Sequence, residues 1–203
     1  MTCPLFSPVV ARLVLGLCAI SCTVAALNVG SPDDLIALFR NATTAVQDDI
    51  VLTADINFAN TKNQLLFPLG ASNSSSFKCI AFSGTLDGNG HAIKNIRMET
   101  TFENFHDAGL FCQLKDATVS NLVLDESCAF TGMSVGALAV QTSGTVVLQN
   151  VTTRATITGS ENCGGLVGQV KSLVIEHCVS EASITGNCHY AGGFVGNVEL
   201  SGN

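Results

Sequence analysis

Gly164-Gly165-Leu166-Val167-Gly168 is the stretch that decides the fold, because close variants of it recur along the chain at a fixed interval. Ala108-Gly109-Leu110-Phe111 and Gly136-Ala137-Leu138-Ala139 precede it, and Gly192-Gly193-Phe194-Val195-Gly196 follows it. The central apolar residues of the four copies lie 28 residues apart: Leu110, Leu138, Leu166 and Phe194. Internal similarity with a constant period of this length is typical of a solenoid, in which each repeat forms one coil.

The repeats have the periodicity of strands and not of helices. Residues 148–159 align without a gap on residues 175–186, and the apolar positions that coincide are mostly two residues apart. An interval of two places side chains on one face of a strand. A coil with one apolar face can bury that face only against neighbouring coils, so we expect columns of equivalent side chains in a stack of about five coils, about 24 Å long at ~4.8 Å per coil.

A known group of proteins has similar motifs. The stretch at residues 164–168 resembles GLUG repeats, and residues 82–96 resemble the first coil that precedes such repeats in secreted, pectin-lyase-like proteins. The resemblance covers about residues 31–203, with GLUG-like coils over residues 108–203. It implies an all-β, right-handed parallel β-helix. Polysaccharide-cleaving enzymes, adhesins and other surface proteins share this architecture, so the resemblance is more specific for fold than for function.

Residues 1–26 have the composition of a secretory signal peptide. Arg12 is their one charged residue, residues 13–24 form an apolar run, and small residues follow at Ala25 and Ala26. The apolar run is shorter than the ~20 residues that a membrane-spanning helix needs, and no later segment is long and apolar enough. We therefore predict a protein that is secreted or held at the extracellular surface, with one domain over residues 27–203 and no membrane span in the mature chain.

The charge balance argues against several partners. Loss of residues 1–26 would leave 8 basic and 16 acidic residues, a net charge of −8. Because basic patches are absent from the sequence, nucleic acid is not an expected partner. Glycans or another surface protein are the partners that the resemblance implies.

A short amphipathic helix is predicted at the start of the domain, within about residues 31–45. Ser31 is suited to the N-cap and Pro32 to the first helical position. The helix would place three apolar side chains on one face: Leu35, Leu38 and Phe39. Because the first coil of a solenoid has an uncovered apolar end, we expect this helix to be a cap. Residues 49–58 are predicted to form the first strand layer, and residues 60–76 a loop that partly folds back.

Six cysteines remain after residue 26: Cys79, Cys112, Cys128, Cys163, Cys178 and Cys188. In a secreted protein they favour disulfides, although the sequence alone permits 15 full pairings. Cys163 and Cys188 precede successive glycine corners, which predicts a disulfide between them, whereas Cys178 falls in an inward column as a small apolar residue. A zinc site at His177, Cys178, Cys188 and His189 is the alternative. Neighbouring strand residues point to opposite faces, so we expect no metal and no cofactor.

Asparagines form a second column in the sequence. The alignment places Asn95, Asn121, Asn150 and His177 at equivalent corners, where amide side chains could hydrogen-bond from coil to coil. Three asparagines lie in N-glycosylation sequons: Asn41, Asn73 and Asn150. Asn73 lies in a polar loop and is the best candidate of the three. Arg154 and Glu181 also coincide, which predicts an ion pair between neighbouring coils.

The residues that could carry chemistry are few. Asp87-Gly88-Asn89-Gly90-His91 combines a carboxylate, an amide and an imidazole on a glycine-rich turn. Asp87 and His91 could serve a polysaccharide lyase or hydrolase, but hydrolysis normally needs two carboxylates and calcium-assisted elimination needs several converging oxygens. The next coil offers no matching acid, so a turn that needs φ above zero explains the motif better. We therefore expect no catalytic residue.

Sugar binding would need exposed aromatic side chains, and the chain has no tryptophan and one tyrosine. Tyr190, beside His189, is the one candidate for a binding aromatic. The open C-terminal end, with Asn203 only seven residues after Gly196, leaves two alternatives: the sequence continues in a longer β-helix, or the end stacks on another chain.

The sequence therefore predicts a non-catalytic, secreted or cell-surface β-helix module for adhesion or extracellular interaction. A polysaccharide lyase or glycoside hydrolase that acts on acidic polysaccharide is one alternative. A structural spacer within a larger surface protein is the other.

Overall fold

A computed structural model describes residues 25–59, 65–71, 78–100 and 106–199. Helix α1 covers Pro32–Arg40. In chain order the strands are β1 Leu27–Val29, β2 Ile50–Leu52, β3 Ile56–Asn57, β4 Ala81–Phe82, β5 Thr85–Asp87, β6 Ala92–Lys94, β7 Arg97–Glu99, β8 Phe111–Lys115, β9 Thr118–Leu124, β10 Ala129–Thr131, β11 Val135–Gly136, β12 Ala139–Ser143, β13 Val147–Thr153, β14 Thr156–Gly159, β15 Asn162–Gly164, β16 Val167–Val170, β17 Val174–Glu176, β18 Val179–Ser180, β19 Ser183–Gly186, β20 Tyr190–Gly192 and β21 Val195–Val198.

The strands form a parallel solenoid, which confirms the predicted fold class. One sheet has the order β4-β8-β12-β16-β21, so five strands that are about one repeat apart lie side by side and enclose four turns of the chain. A second sheet runs β7-β10-β14-β19, and the longest runs β1-β2-β5-β9-β13-β17. The pairs between successive coils are parallel. Each coil therefore buries its apolar face against the coils next to it.

The repeated leucines stack as predicted. Phe111 pairs with Ala139, and Val167 with Val195, which places Leu110, Leu138, Leu166 and Phe194 one above another. The three leucines are fully buried, whereas Phe194 in the last coil is only partly buried. Burial of one such side chain contributes about 1.5–3 kcal/mol, so these columns are a main source of stability.

Helix α1 covers the first coils, as predicted for a cap. The Ser31 hydroxyl accepts a hydrogen bond from the Asp34 backbone N–H at 3.3 Å, which fixes the start of the helix. Leu35 is fully buried, and the ring of Phe39 lies 6.4 Å from that of Phe82 and 5.9 Å from that of Phe111. The helix thus closes one apolar end of the solenoid. No helix in the described part of the chain has the length and apolarity needed to cross a bilayer.

Residues 49–58 form strands β2 and β3, as predicted, but they are not the first strand layer, because β1 lies outside them. β1 pairs in parallel with β2, with Leu27 opposite Ile50 and Val29 opposite Leu52. A strand of three residues gives too short a pattern to be detected before its partner is known. Residues 1–24 of the predicted signal peptide lie outside the described residues.

Part of the predicted loop folds back onto the solenoid, as expected. Leu65 and Leu69 are buried, and Leu69 forms a parallel bridge with Phe111. A disulfide joins Cys79, just after the loop, to Cys112 in β8. This disulfide was not predicted. Residues 60–64 and 72–77 of the loop lie outside the described residues.

Candidate functional site

The column of polar residues exists, and its backbone is left-handed. Asn121, Asn150 and His177 have φ of 52°, 53° and 52°. The Asn150 amide donates to Asn121 Oδ1 at 2.9 Å, and the Asn121 amide donates to Asp87 Oδ1 at 3.0 Å. Asparagine tolerates this conformation better than most residues, so backbone geometry and the side-chain bonds both favour it here. We call the residues Asp87, Asn121, Asn150 and His177 the corner ladder.

The placement of Asn95 in this ladder is wrong. β5 pairs with β9 so that Asp87 lies opposite Ser120, which puts Gly88 below Asn121. Beyond the corner, Ala92 lies opposite Val123. The lower coil thus has four residues at this corner, 88–91, whereas the upper coil has two, 121 and 122. This insertion moves Asn95 to the next corner, where its amide donates to Asn57 Oδ1 at 2.9 Å.

Asp87 and His91, the alternative catalytic pair, have separate partners in the structure. Asp87 Oδ1 accepts the Asn89 backbone N–H at 2.8 Å in addition to the Asn121 amide. His91 Nδ1 lies 3.5 Å from Asp55 Oδ1. The glycine-rich turn itself is as predicted, with φ of 51° at Asn89 and 78° at Gly90. Asp87 therefore holds the turn and the ladder together.

Asp55, which was not singled out in the sequence, is the centre of an exposed charged cluster. Its Oδ2 lies 2.6 Å from Lys94 Nζ, and its Oδ1 accepts the Ala92 backbone N–H at 2.9 Å. The hydrogen bond from Lys94 lowers the pKa of Asp55 below its ordinary value, with help from the Ala92 N–H. Asp55 is thus ionised at neutral pH and cannot act as a general acid. Its solvent exposure means that the ion pair adds little to stability.

Charges alternate in sign up one corner of the solenoid. Lys94 interacts electrostatically with Asp125, and Asp125 with Arg154 in the coil above. Arg154 Nε then lies 2.8 Å from Glu181 Oε2, so the predicted ion pair is present. With Asp55 at the bottom, we call these five residues the charge ladder. The sequence alignment predicted only the pair of Arg154 and Glu181. The other members were missed because the insertion at residues 88–91 obscures which residues of neighbouring coils lie opposite each other.

A carboxyl with a raised pKa lies at another corner. Asp107 is half-buried, and burial raises its pKa, with a further contribution from Glu161. Its Oδ1 accepts the Ser134 backbone N–H at 3.0 Å. In the next coil the amide of Asn162 donates to the Ser134 hydroxyl at 3.0 Å. Asp107 was not predicted from the sequence, because its burial arises only when the chain folds.

Tyr190, the predicted binding aromatic, lies at the top of that same corner. It pairs with Asn162 in the coil below, and its backbone N–H donates to the Glu161 carbonyl at 2.8 Å. The side chain of Tyr190 is open to solvent, with 56% of the residue exposed, and His189 beside it is also exposed. Both side chains are accessible to a partner, and their binding role stays a prediction.

The cysteines form two disulfides in the described residues. One joins Cys163 to Cys188, the predicted pair. It uses the Cys188 thiol that the alternative zinc site would need, and the described residues contain no group of three or more metal-ligating side chains. Cys128 and Cys178 are free. Burial raises the pKa of the Cys128 thiol to about 11. Cys178 is only partly buried, because it belongs to the last coil.

The three sequons differ in their surroundings. Asn41 is exposed in the turn that follows α1. Asn150 lies inside β13 and uses its amide nitrogen in the corner ladder, so a glycan there would remove that hydrogen bond. Asn73 lies outside the described residues. Asn41 and Asn73 therefore stay candidates for glycosylation, and Asn150 becomes a poorer one.

The chain is similar to two known proteins that were found by comparison of sequence and of structure. No family model matches the chain. The chain is similar to Halomucin of Haloquadratum walsbyi, with 34% identity over 160 residues, which cover 73% of this chain. The match spans only 2% of the length of that relative. A solved structure from Bacteroides ovatus, described as a candidate immunoglobulin A1 protease, matches 87% of this chain and 62% of its own with 14% identity and a TM-score of 0.47.

Proposed function

We propose that this chain is a non-catalytic extracellular β-solenoid module that mediates adhesion or another surface interaction. One observation carries the proposal. Asp87, the carboxylate of the alternative catalytic pair, accepts hydrogen bonds from the Asn89 backbone N–H and the Asn121 amide. These two hydrogen bonds give the carboxylate a structural role, in the turn at residues 87–91 and between neighbouring coils. His91, the other residue of the alternative catalytic pair, lies beside Asp55 instead.

An extracellular location is supported by the cysteines. Disulfides persist in oxidising compartments and are rare in the cytosol. The described residues form two, Cys79–Cys112 and Cys163–Cys188, each of which links segments of different coils. The signal-peptide pattern over residues 1–26 supports the same location.

Retention on surfaces tests this proposal. The purified chain would be applied to a broad glycan array and to intact cells, beside a Tyr190→Ala variant. We expect retention of the wild type on at least one surface and weaker retention of Tyr190→Ala if the aromatic ring contacts the ligand. A blank result on every surface would overturn the interaction role. It would favour a spacer within a larger protein, for which the match to 2% of Halomucin is the support.

Polysaccharide cleavage is a second candidate, favoured by Asp107. A carboxyl with a raised pKa suits a general acid, and glycoside hydrolysis uses two carboxyl groups. Burial raises the pKa of Asp107, and the strand register places Asp107 at the same corner as the exposed Tyr190, so Asp107 is tested beside Asp87. Acidic polysaccharides would be incubated with wild type, Asp107→Asn and Asp87→Ala, with and without calcium. Cleavage by wild type and Asp87→Ala but not by Asp107→Asn would support this function, and no cleavage by wild type would remove it.

A further inference from the structure

The sequence contains a single asparagine that is followed directly by glycine: Asn89, before Gly90, in the turn at residues 87–91. An asparagine can lose its amide group when the backbone nitrogen of the next residue attacks the side-chain Cγ. A side chain on that next residue hinders the approach, and Gly90 has none. The space beside the Gly90 Cα is open, with no described atom within 4 Å of the place that a Cβ would take. Among the asparagines of the sequence, Asn89 is therefore the one best suited to this reaction.

The folded turn holds both reacting groups away from each other. The Gly90 N–H donates to the Asn121 backbone carbonyl at 2.9 Å. The Asn89 Nδ2 donates to the Leu52 carbonyl at 3.4 Å, and the Asn89 backbone N–H donates to Asp87 Oδ1 at 2.8 Å. Before the attack, the Gly90 nitrogen must leave its acceptor and the Asn89 side chain must turn away from Leu52. The rate of the reaction is therefore set by how often the turn opens locally.

The corner ladder controls that opening through one residue of the next coil. Asn121 accepts the Gly90 N–H with its backbone carbonyl and donates its side-chain amide to Asp87 Oδ1 at 3.0 Å. Asn89 and Asn121 both have a left-handed backbone, with φ of 51° and 52°. Because Asn121 contacts both sides of the turn, loss of its side chain should loosen the turn. Asn89 and Gly90 are exposed to solvent, so water reaches them directly.

We propose that Asn89 is a site of spontaneous deamidation whose rate is controlled by the corner ladder. When the turn opens, the Gly90 nitrogen forms a bond to Asn89 Cγ, the bond from Cγ to Nδ2 breaks, and ammonia leaves with the proton of the Gly90 amide. The product is a cyclic succinimide. Water then opens the ring at either carbonyl, which leaves aspartate or isoaspartate at position 89. Water is the co-reactant, and the reaction needs no oxidant or reductant.

The product should weaken the turn that protected the asparagine. A carboxylate at position 89 has no N–H to donate to the Leu52 carbonyl, as the amide does now. It also adds a negative charge beside Asp87, and like charges repel each other. Because the change is irreversible, deamidation at position 89 records how often this corner has opened. This inference does not depend on the interaction role proposed above.

Deamidation and hydrogen exchange of the same turn test the inference together. Mass spectrometry would follow deamidation at position 89 in the folded full chain and in a free peptide of residues 84–95, both at mildly alkaline pH. Hydrogen exchange would report the opening of the Gly90 N–H, which is the attacking group. Asn121→Ala perturbs the corner ladder, and Asn41→Ala is the matched control because Asn41 is exposed in the turn after α1. Urea below the unfolding transition opens the wild-type turn without any substitution.

We expect deamidation of Asn89 to be about tenfold or more slower in the folded wild type than in the peptide. Asn121→Ala should raise the deamidation rate and the Gly90 exchange rate by the same factor, urea should raise both rates together, and Asn41→Ala should change neither. Equal deamidation in the peptide and the folded chain would overturn the inference. So would faster exchange of Gly90 without faster deamidation, or a peptide in which Asn89 stays intact.

Discussion

Substitution of Asn121 tests whether the corner ladder contributes to stability. Asn121 combines a φ of 52° with two side-chain hydrogen bonds, one to Asp87 and one from Asn150. Each bond contributes about 0.5–1.5 kcal/mol net. A left-handed backbone costs alanine about 1–2 kcal/mol more. Asn121→Ala should therefore lower the free energy of unfolding by about 2–5 kcal/mol.

The glycine variant separates the two contributions. Asn121→Gly loses the same hydrogen bonds but adopts positive φ without strain, so it should be about 1 kcal/mol more stable than Asn121→Ala. Urea unfolding followed by circular dichroism gives the free energies of both variants. Asn41→Ala is the matched control, because Asn41 is exposed at φ −121° and should change stability by less than about 0.5 kcal/mol.

Two results would refute this reasoning. If Asn121→Ala unfolded like the wild type, the hydrogen bonds of the corner ladder would contribute nothing measurable. If Asn121→Gly and Asn121→Ala were equally unstable, the positive φ would carry no cost, and the preference for asparagine at this corner would need another cause.

Three further predictions concern titration and sulfur chemistry. Asp107→Asn keeps an acceptor for the Ser134 backbone N–H and removes a carboxyl whose pKa is raised by burial. It should therefore stabilise the folded protein at neutral pH. The gain should disappear below about pH 3.8, where the wild-type carboxyl is protonated in both the folded and the unfolded state. Replacement of Cys163 and Cys188 by serine opens a loop with a sequence separation of 25 residues and should cost about 3.5 kcal/mol in urea unfolding. Iodoacetamide at about pH 8 should label Cys178 in the folded protein and Cys128 only after denaturation, as read by mass spectrometry.

Each of these predictions has a contrary outcome. Destabilisation by Asp107→Asn at neutral pH would mean that the ionised carboxylate is favoured at its site. Unchanged stability without the disulfide would show that the coils hold residues 163 and 188 in place unaided. Rapid labelling of Cys128 in the folded state would contradict its burial.

Much of the fold could be predicted because the spacing of the repeats determines which residues of neighbouring coils lie opposite each other. Leu110, Leu138, Leu166 and Phe194 are equally spaced, and equal spacing in a solenoid means vertical contact. The helix cap at Ser31 was predictable from local chemistry, since its signals lie within a few residues. The disulfide between Cys163 and Cys188 was predicted because both residues precede successive glycine corners.

The candidate site was less predictable, because it depends on how coils of unequal length align. Four residues at 88–91 oppose two in the next coil, and this difference moved Asn95 out of the corner ladder and paired His91 with Asp55. The shifted pKa of Asp107 arises from burial by segments distant in sequence. Neither effect leaves a local pattern that could be detected.

The sequence by itself determined that the chain is a stack of strand-forming coils with a helix at one end, because periodic apolar residues and capping signals act over short distances. Only the tertiary structure decided which polar side chains meet and how far the charge ladder extends. Those contacts depend on the register between coils, and a single insertion changes it for every residue up to the next corner.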